Sequence, residues 1–112
     1  MLRIILETLN FDVVEAVDGE MAFKLAVELT PDLILMDSGL PTTDGVSVTR
    51  RIRNDQRISQ VPIIFLSGHA LPSSKKAALD AGGNDYLIKP IDIDEMLTVV
   101  AKWLRLSTSK NH

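Results

Sequence analysis

Cysteine is absent from this 112-residue sequence, so disulfides, zinc–thiolate centres and thiol catalysis are excluded. No apolar run is long enough to cross a bilayer. Positive charge is not in excess. The 12 Lys and Arg are outnumbered by 15 Asp and Glu, for a net charge of −3. That balance argues against a nucleic-acid-binding face, which needs a basic footprint. The opening residues, Met1-Leu2-Arg3-Ile4-Ile5-Leu6-Glu7, are brief and soon acidic, unlike a signal peptide. No Gly-x-Ser-x-Gly elbow, Walker loop or Rossmann glycine fingerprint occurs, which leaves a small hydrolase with little support. What remains is a chain 46% hydrophobic and 24% charged, sized for one globular domain with a single core. A cytoplasmic protein with neither a membrane nor a nucleic-acid partner is the default expectation.

The pattern alternates between short apolar runs and longer amphipathic stretches. Leu2, Ile5, Leu6 and Leu9 recur at helical spacing, so residues 1–10 read as the end of a helix stopped at Asn10. Asp12–Ala16 reads as a short strand. Asp18 can cap a helix with the apolar stripe Ala22, Leu25, Ala26 and Leu29, ended by Pro31. Asp32–Met36 is almost continuously apolar, as a parallel strand buried on both faces would be. A polar, Gly- and Pro-containing loop runs from Ser38 to Gly45. A helix follows over residues 46–56, with Val46, Thr49 and Ile52 on one side and Arg50, Arg51 and Arg53 outward. Val61–Leu66 is the next strand, with Pro62 tolerated near its start. Pro72 and Ser73 open a helix through Ala81, and Gly82-Gly83 stop it. Asp85–Ile88 is the last strand. Asp92 caps a final helix carrying Met96, Leu97, Val100, Trp103 and Leu104. The single domain is expected to span residues 1–106, and 107–112 reads as a disordered polar tail.

Strands alternating with helices imply an α/β fold, a doubly wound parallel sheet with helices on both faces. In such sheets ligands bind beyond the carboxyl ends of the strands. Three polar residues come directly after apolar strands: Asp37, Ser67 and Lys89. Parallel strands bring all three to one edge. A carboxylate there can accept a phosphoryl group as a mixed anhydride, a lysine can pair with phosphoryl oxygens, and a hydroxyl can bond another. Taken singly, each has a plainer reading as a turn cap, a strand end and a solvated charge. Their common placement favours the site.

The segments PDLILMDSGLPTTDG (Pro31–Gly45), PIIFLSGHA (Pro62–Ala70) and AGGNDYLIKPID (Ala81–Asp92) resemble the receiver domain of two-component response regulators. The resemblance runs from Arg3 to about Trp103. It implies a flavodoxin-like sheet, with Asp37 as phospho-acceptor, Ser67 as switch hydroxyl and Lys89 as phosphate contact. Tyr86 matches the switch aromatic, and a cis peptide joins Lys89 to Pro90. Gly39 matches the position whose backbone carbonyl contacts Mg²⁺, and Asp44-Gly45 the turn of that loop. Receivers begin with a strand ending in an acidic pair, whereas Met1 here already lies in the first helix. The central first strand of the 2-1-3-4-5 order is then missing, together with the carboxylates assigned to Mg²⁺. Asp37 and Gly39 alone make a weak metal site. The gap in the sheet could be repaired by collapse to four strands, by a homodimer with an exchanged or edge-paired strand, or by a different start of the chain. Of these, dimerisation is the expectation.

The resemblance implies a non-enzymatic phosphoacceptor, served by a sensor histidine kinase or phosphotransfer protein and signalling to a downstream protein. The alternative is a dimerising scaffold that is not phosphorylated. His69, near the site, reads as a loop surface residue. Arg50-Arg51-Ile52-Arg53 reads as a solvated helix face, Ser73-Ser74-Lys75-Lys76 as a helix start, and Trp103 as core.

Overall fold

The computed structural model describes residues 19–37, 45–68 and 71–109. The helix expected at 1–10, the strand at 12–16, the Asp18 cap, Gly39, Asp44 and His69 lie outside the described residues. The elements among those described are α1 (Gly19–Leu29), β1 (Ile34–Asp37), α2 (Gly45–Arg53), β2 (Ile63–Ser67), α3 (Pro72–Asp80), β3 (Asp85–Ile88) and α4 (Ile93–Ser109). The three strands form a parallel sheet in the order β1-β2-β3.

β2 organises both layers. Every residue from Ile63 to Ser67 is buried, as its unbroken apolar sequence requires of a strand flanked on both edges and covered on both faces. Side chains alternate across the pleat. Ile63 and Phe65 join Met36, Val48, Ile52, Ala78 and Tyr86 in one cluster, beneath α1, α2 and α3. Ile64 and Leu66 join Leu87, Met96 and Val100 in the other, beneath α4. Helices therefore cover both faces. β1 is less enclosed than its sequence suggests. Only Met36 is fully buried, because β1 stands at the margin of the described sheet, paired there with β2 alone. β2 begins at Ile63 rather than Val61. Pro62 has no N–H for the ladder, and it contributes only its carbonyl, which accepts from Ile34 N at 2.8 Å.

The helix ends follow local chemistry. α3 starts on Pro72, whose missing N–H costs nothing in the first turn. It closes in a Schellman arrangement, with Gly82 N donating to Leu79 O and Gly83 N to Ala78 O. Gly82 sits at φ +116°, a conformation open to glycine. Asp92 caps α4 as the sequence indicates, its Oδ1 accepting from Glu95 N at 3.1 Å. α4 continues through Ser109, three residues into the segment read as a tail. On α1, Ala26 is buried and Ala22, Phe23 and Val27 pack on the core, but Leu29 is exposed. The helix ends at Leu29, before Thr30 at φ 43°, and this last stripe residue lies beyond the core that covers Ala26.

Arg53 corrects the reading of the Arg50–Arg53 run. Arg50 and Arg51 face outward, Arg51 lying over the Phe23 ring and pairing with Glu20 at 2.6 Å. Arg53 instead turns under the sheet. Its Nε donates to Gly82 O at 2.9 Å, Nη1 to Ser59 O and Val61 O at 3.0 and 2.7 Å, and Nη2 to Asn84 Oδ1 at 2.8 Å. The same Asn84 Oδ1 accepts from Ile63 N at 2.8 Å. Burial lowers the Arg53 pKa, but from an ordinary value so high that the ion stays charged at neutral pH. The planar fork can satisfy several carbonyls at once, which a lysine ammonium cannot. Gly82 makes room for it, since a Cβ there would lie 2.6 Å from Arg53 Cγ.

Two stability outcomes follow. Arg53→Ala strands several carbonyls at the amino edge of the sheet and is expected to cost about 2–4 kcal/mol in urea denaturation. Arg53→Lys should recover less than half of that. Thr49 is fully buried, and its hydroxyl has no partner among the described residues. Thr49→Val is therefore expected to raise stability by about 1 kcal/mol, and a loss of stability instead would show the hydroxyl to be satisfied in solution.

Candidate phosphoryl-acceptor site

Asp37, Ser67 and Lys89 come to the carboxyl edge of the sheet because their strands run parallel and in close register. Asp37 is paired with Leu66 and Ser67 with Ile88, so Ser67 stands one step beyond Asp37 and Lys89 one step beyond Ser67. Lys89 leaves β3 with its N–H donating to Ser67 O at 2.7 Å. Its backbone is thus fixed to the end of β2. Its side chain then crosses over β2, with Nζ 2.7 Å from Asp37 Oδ1. β1 and β3 are two strand spacings apart, about 10 Å, a gap that only a long side chain closes.

The carboxylate and the ammonium are each about two-fifths exposed, at 41% and 38%, so the pair opens to solvent. Ser67 is 2% exposed and lies on the α1–α3 side of β2. Tyr86, beside Phe65 in the register, is buried with its ring stacked on that of Phe65. The peptide between Lys89 and Pro90 is cis, as the resemblance implies. The geometry joins Asp37 to Lys89 directly and brings Ser67 to the same edge. Tyr86 stands one layer below, in the core.

A carboxylate held beside one ammonium, with an open side toward solvent, can accept a phosphoryl group. The ammonium remains to balance the charge that the group adds. Mg²⁺ demands near-octahedral oxygen coordination, and no group of three or more His, Cys, Asp or Glu among the described residues could hold a metal. Asp37, already bonded to Lys89, is the acidic side chain that these strands bring to this edge. The described residues by themselves do not fit the ion, and no step below runs through it.

The sequence model of the response regulator receiver domain matches residues 1–101. This chain belongs to that family. The receiver is 42% identical over 94% of its length to the DNA-binding dual master transcriptional regulator RpaA of Synechocystis, covering 44% of that protein. It is 39% identical over 95% of its length to the response regulator ArlR of Staphylococcus saprophyticus, covering 47%. The chain thus spans less than half the length of these curated relatives, and DNA binding is a property of the first of them as a whole. Among solved structures, the receiver domain of a Pseudomonas aeruginosa sensor histidine kinase is 38% identical. It matches 92% of this chain and 84% of its own with a TM-score of 0.84. That structure holds a magnesium ion in its active-site cleft. The flavodoxin-like receiver fold is therefore established, and receivers are signalling modules rather than enzymes in their own right. No described helix is long and apolar enough to cross a membrane.

Motif reading did not find Arg53 or Phe65. The arginine sits in an outward-looking basic run, and the phenylalanine is one apolar residue among five in its strand. The carbonyls and glycines that give them roles are distant in sequence. Because the Asp37–Lys89 pair is solvent-screened, Lys89→Met is expected to change stability by less than about 1 kcal/mol, read by thermal or urea unfolding. A larger loss would make the pair a structural bond rather than a site.

Proposed function

We propose that this receiver accepts a phosphoryl group on Asp37 from the phosphohistidine of a sensor kinase or phosphotransfer protein. In that step a carboxylate oxygen of Asp37 attacks phosphorus and the P–N bond to the donor imidazole breaks. The electron pair returns to the imidazole nitrogen, leaving an acyl phosphate on Asp37. The observation that carries this reading is the 2.7 Å contact from Lys89 Nζ to Asp37 Oδ1, made by a lysine whose backbone is tied to Ser67. Lys89 pairs with the transferred oxygens, and Ser67 bonds a further one.

The added charge biases a two-state surface. Ser67 moves toward the phosphoryl group, Tyr86 occupies its inward position, and the face formed by α3 and β3 changes. That face exposes Leu71, Leu79 and Ile88, apolar side chains suited to a protein partner. Output passes through such a partner, and any further activity belongs to a larger protein of which a receiver is one part.

Acetyl phosphate with Mg²⁺, read by intact mass, is the test. One phosphoryl addition is expected on the wild-type chain and none on Asp37→Asn, with Lys89→Met labelled at least about tenfold more slowly. A Mg²⁺ titration of the same reaction measures how far the metal assists. Absence of any Asp37-dependent gain, where another receiver reacts under the same conditions, would replace this reading with a dimerising scaffold that is not phosphorylated.

A further inference from the structure

Phe65 occupies a place that the phosphoryl chemistry does not explain. It lies on β2 two residues before Ser67 and directly opposite Tyr86 on β3. The two rings are nearly parallel, with 20° between their planes and 6.4 Å between their centroids. Phe65 is 3% exposed, so its ring is fixed on all sides.

Two glycines bound that ring at its opposite edges. A Cβ on Gly45, the first residue of α2, would lie 3.2 Å from Phe65 Cε2. A Cβ on Gly83, in the turn before β3, would lie 2.8 Å from Phe65 Cε1 and 2.9 Å from Cδ1. No larger residue fits at Gly83 without displacing the ring or the Ala78 carbonyl, which is 2.9 Å away. The Gly45 position also meets Met36 Cγ at 3.1 Å, and Met36 directly precedes Asp37. The ring thus stands between the backbone that leaves the acceptor strand and the backbone that enters the Tyr86 strand.

We propose that Phe65, held between Gly45 and Gly83, is the positioning residue that sets the inward–outward balance of the Tyr86 ring. An outward Tyr86 gives up the stack and leaves a void beside a phenylalanine that the glycine contacts hold in place. The inward state is therefore already favoured in the core before any phosphoryl group arrives, and phosphorylation adds to a balance that Phe65 has tuned. This inference rests on the reading of Tyr86 as the switch aromatic, and the test separates the two.

Tyr86 is the only tyrosine in the sequence, so fluorotyrosine incorporated into the full chain reports on it alone. The readout is the solvent isotope shift of its fluorine signal between H₂O and D₂O, which measures exposure of the ring. In the unphosphorylated chain, Phe65→Leu is expected to increase the outward population between about twofold and about tenfold, the range into which aromatic pairing energies convert. Ile63→Val loosens the same buried cluster without removing a ring, and it should lower the melting temperature while leaving the fluorine signal unchanged. If Phe65→Leu does not fold, Phe65→Met, closer in volume and lacking a ring, is read in the same way. An unchanged isotope shift in the folded Phe65 variant overturns the proposal, as does an equal change in Ile63→Val. Asp37 labelling is followed by mass in the same samples. A fluorine signal that responds to the Phe65 variant but not to labelling keeps the ring platform and removes the switch role of Tyr86.

Discussion

Parallel pairing of β2 with a strand on each side is the constraint on which everything else in this receiver depends. It aligns three chain directions, so that the residues following three separate apolar runs emerge at one edge. It also gives β2 two faces to bury, and the pleat distributes Ile63 and Phe65 to one layer and Ile64 and Leu66 to the other. Had β1 or β3 run the other way, Asp37 and Lys89 would lie at opposite ends of the sheet, and had β2 done so, Ser67 would have left them.

The two ends of the sheet are held by different means. At the amino edge, Arg53 gathers the carbonyls of Ser59, Val61 and Gly82, and Asn84 Oδ1 accepts from both Arg53 and Ile63 N, in a partly buried network. At the carboxyl edge, the principal link is the half-exposed contact between Lys89 and Asp37. The far edge is thus tied by a partly buried arginine, while the Asp37–Lys89 pair at the site opens to solvent. That division suits a module that must change one face on modification while its opposite end stays put.

Between the two edges lies the aromatic layer. Phe65 and Tyr86 pack beneath the site rather than in it, and the glycines at 45 and 83 let the backbone approach the phenylalanine ring closely. The contact is a matter of shape, and small changes of volume there are felt because cores pack like solids.

Much was legible in the linear chain. The α/β alternation, the positions of β2 and β3, the Pro72 start and Gly82-Gly83 stop of α3, and the Asp92 cap of α4 are all local, set by neighbouring residues through turn and cap chemistry. Asp37, Ser67 and Lys89 could be placed at one edge because each directly follows an apolar run, and parallel topology needs no further information. The modest burial of β1, the exposure of Leu29 and the role of Arg53 could not be read this way. Arg53 stands close to one turn from Arg50 and beside the buried Ile52, and the linear pattern does not show the carbonyls that wait beneath the sheet. The residue types and order of this sequence determined the strands, the helices and the three candidate residues that follow the apolar runs. Only the tertiary structure decided that Lys89 reaches across β2 to Asp37, that Arg53 clamps the far edge and that Phe65 supports Tyr86. Most of those contacts join segments more than twenty residues apart, such as Lys89 with Asp37 and Arg53 with Gly82, and their existence depends on distances that arise only when the sheet has formed.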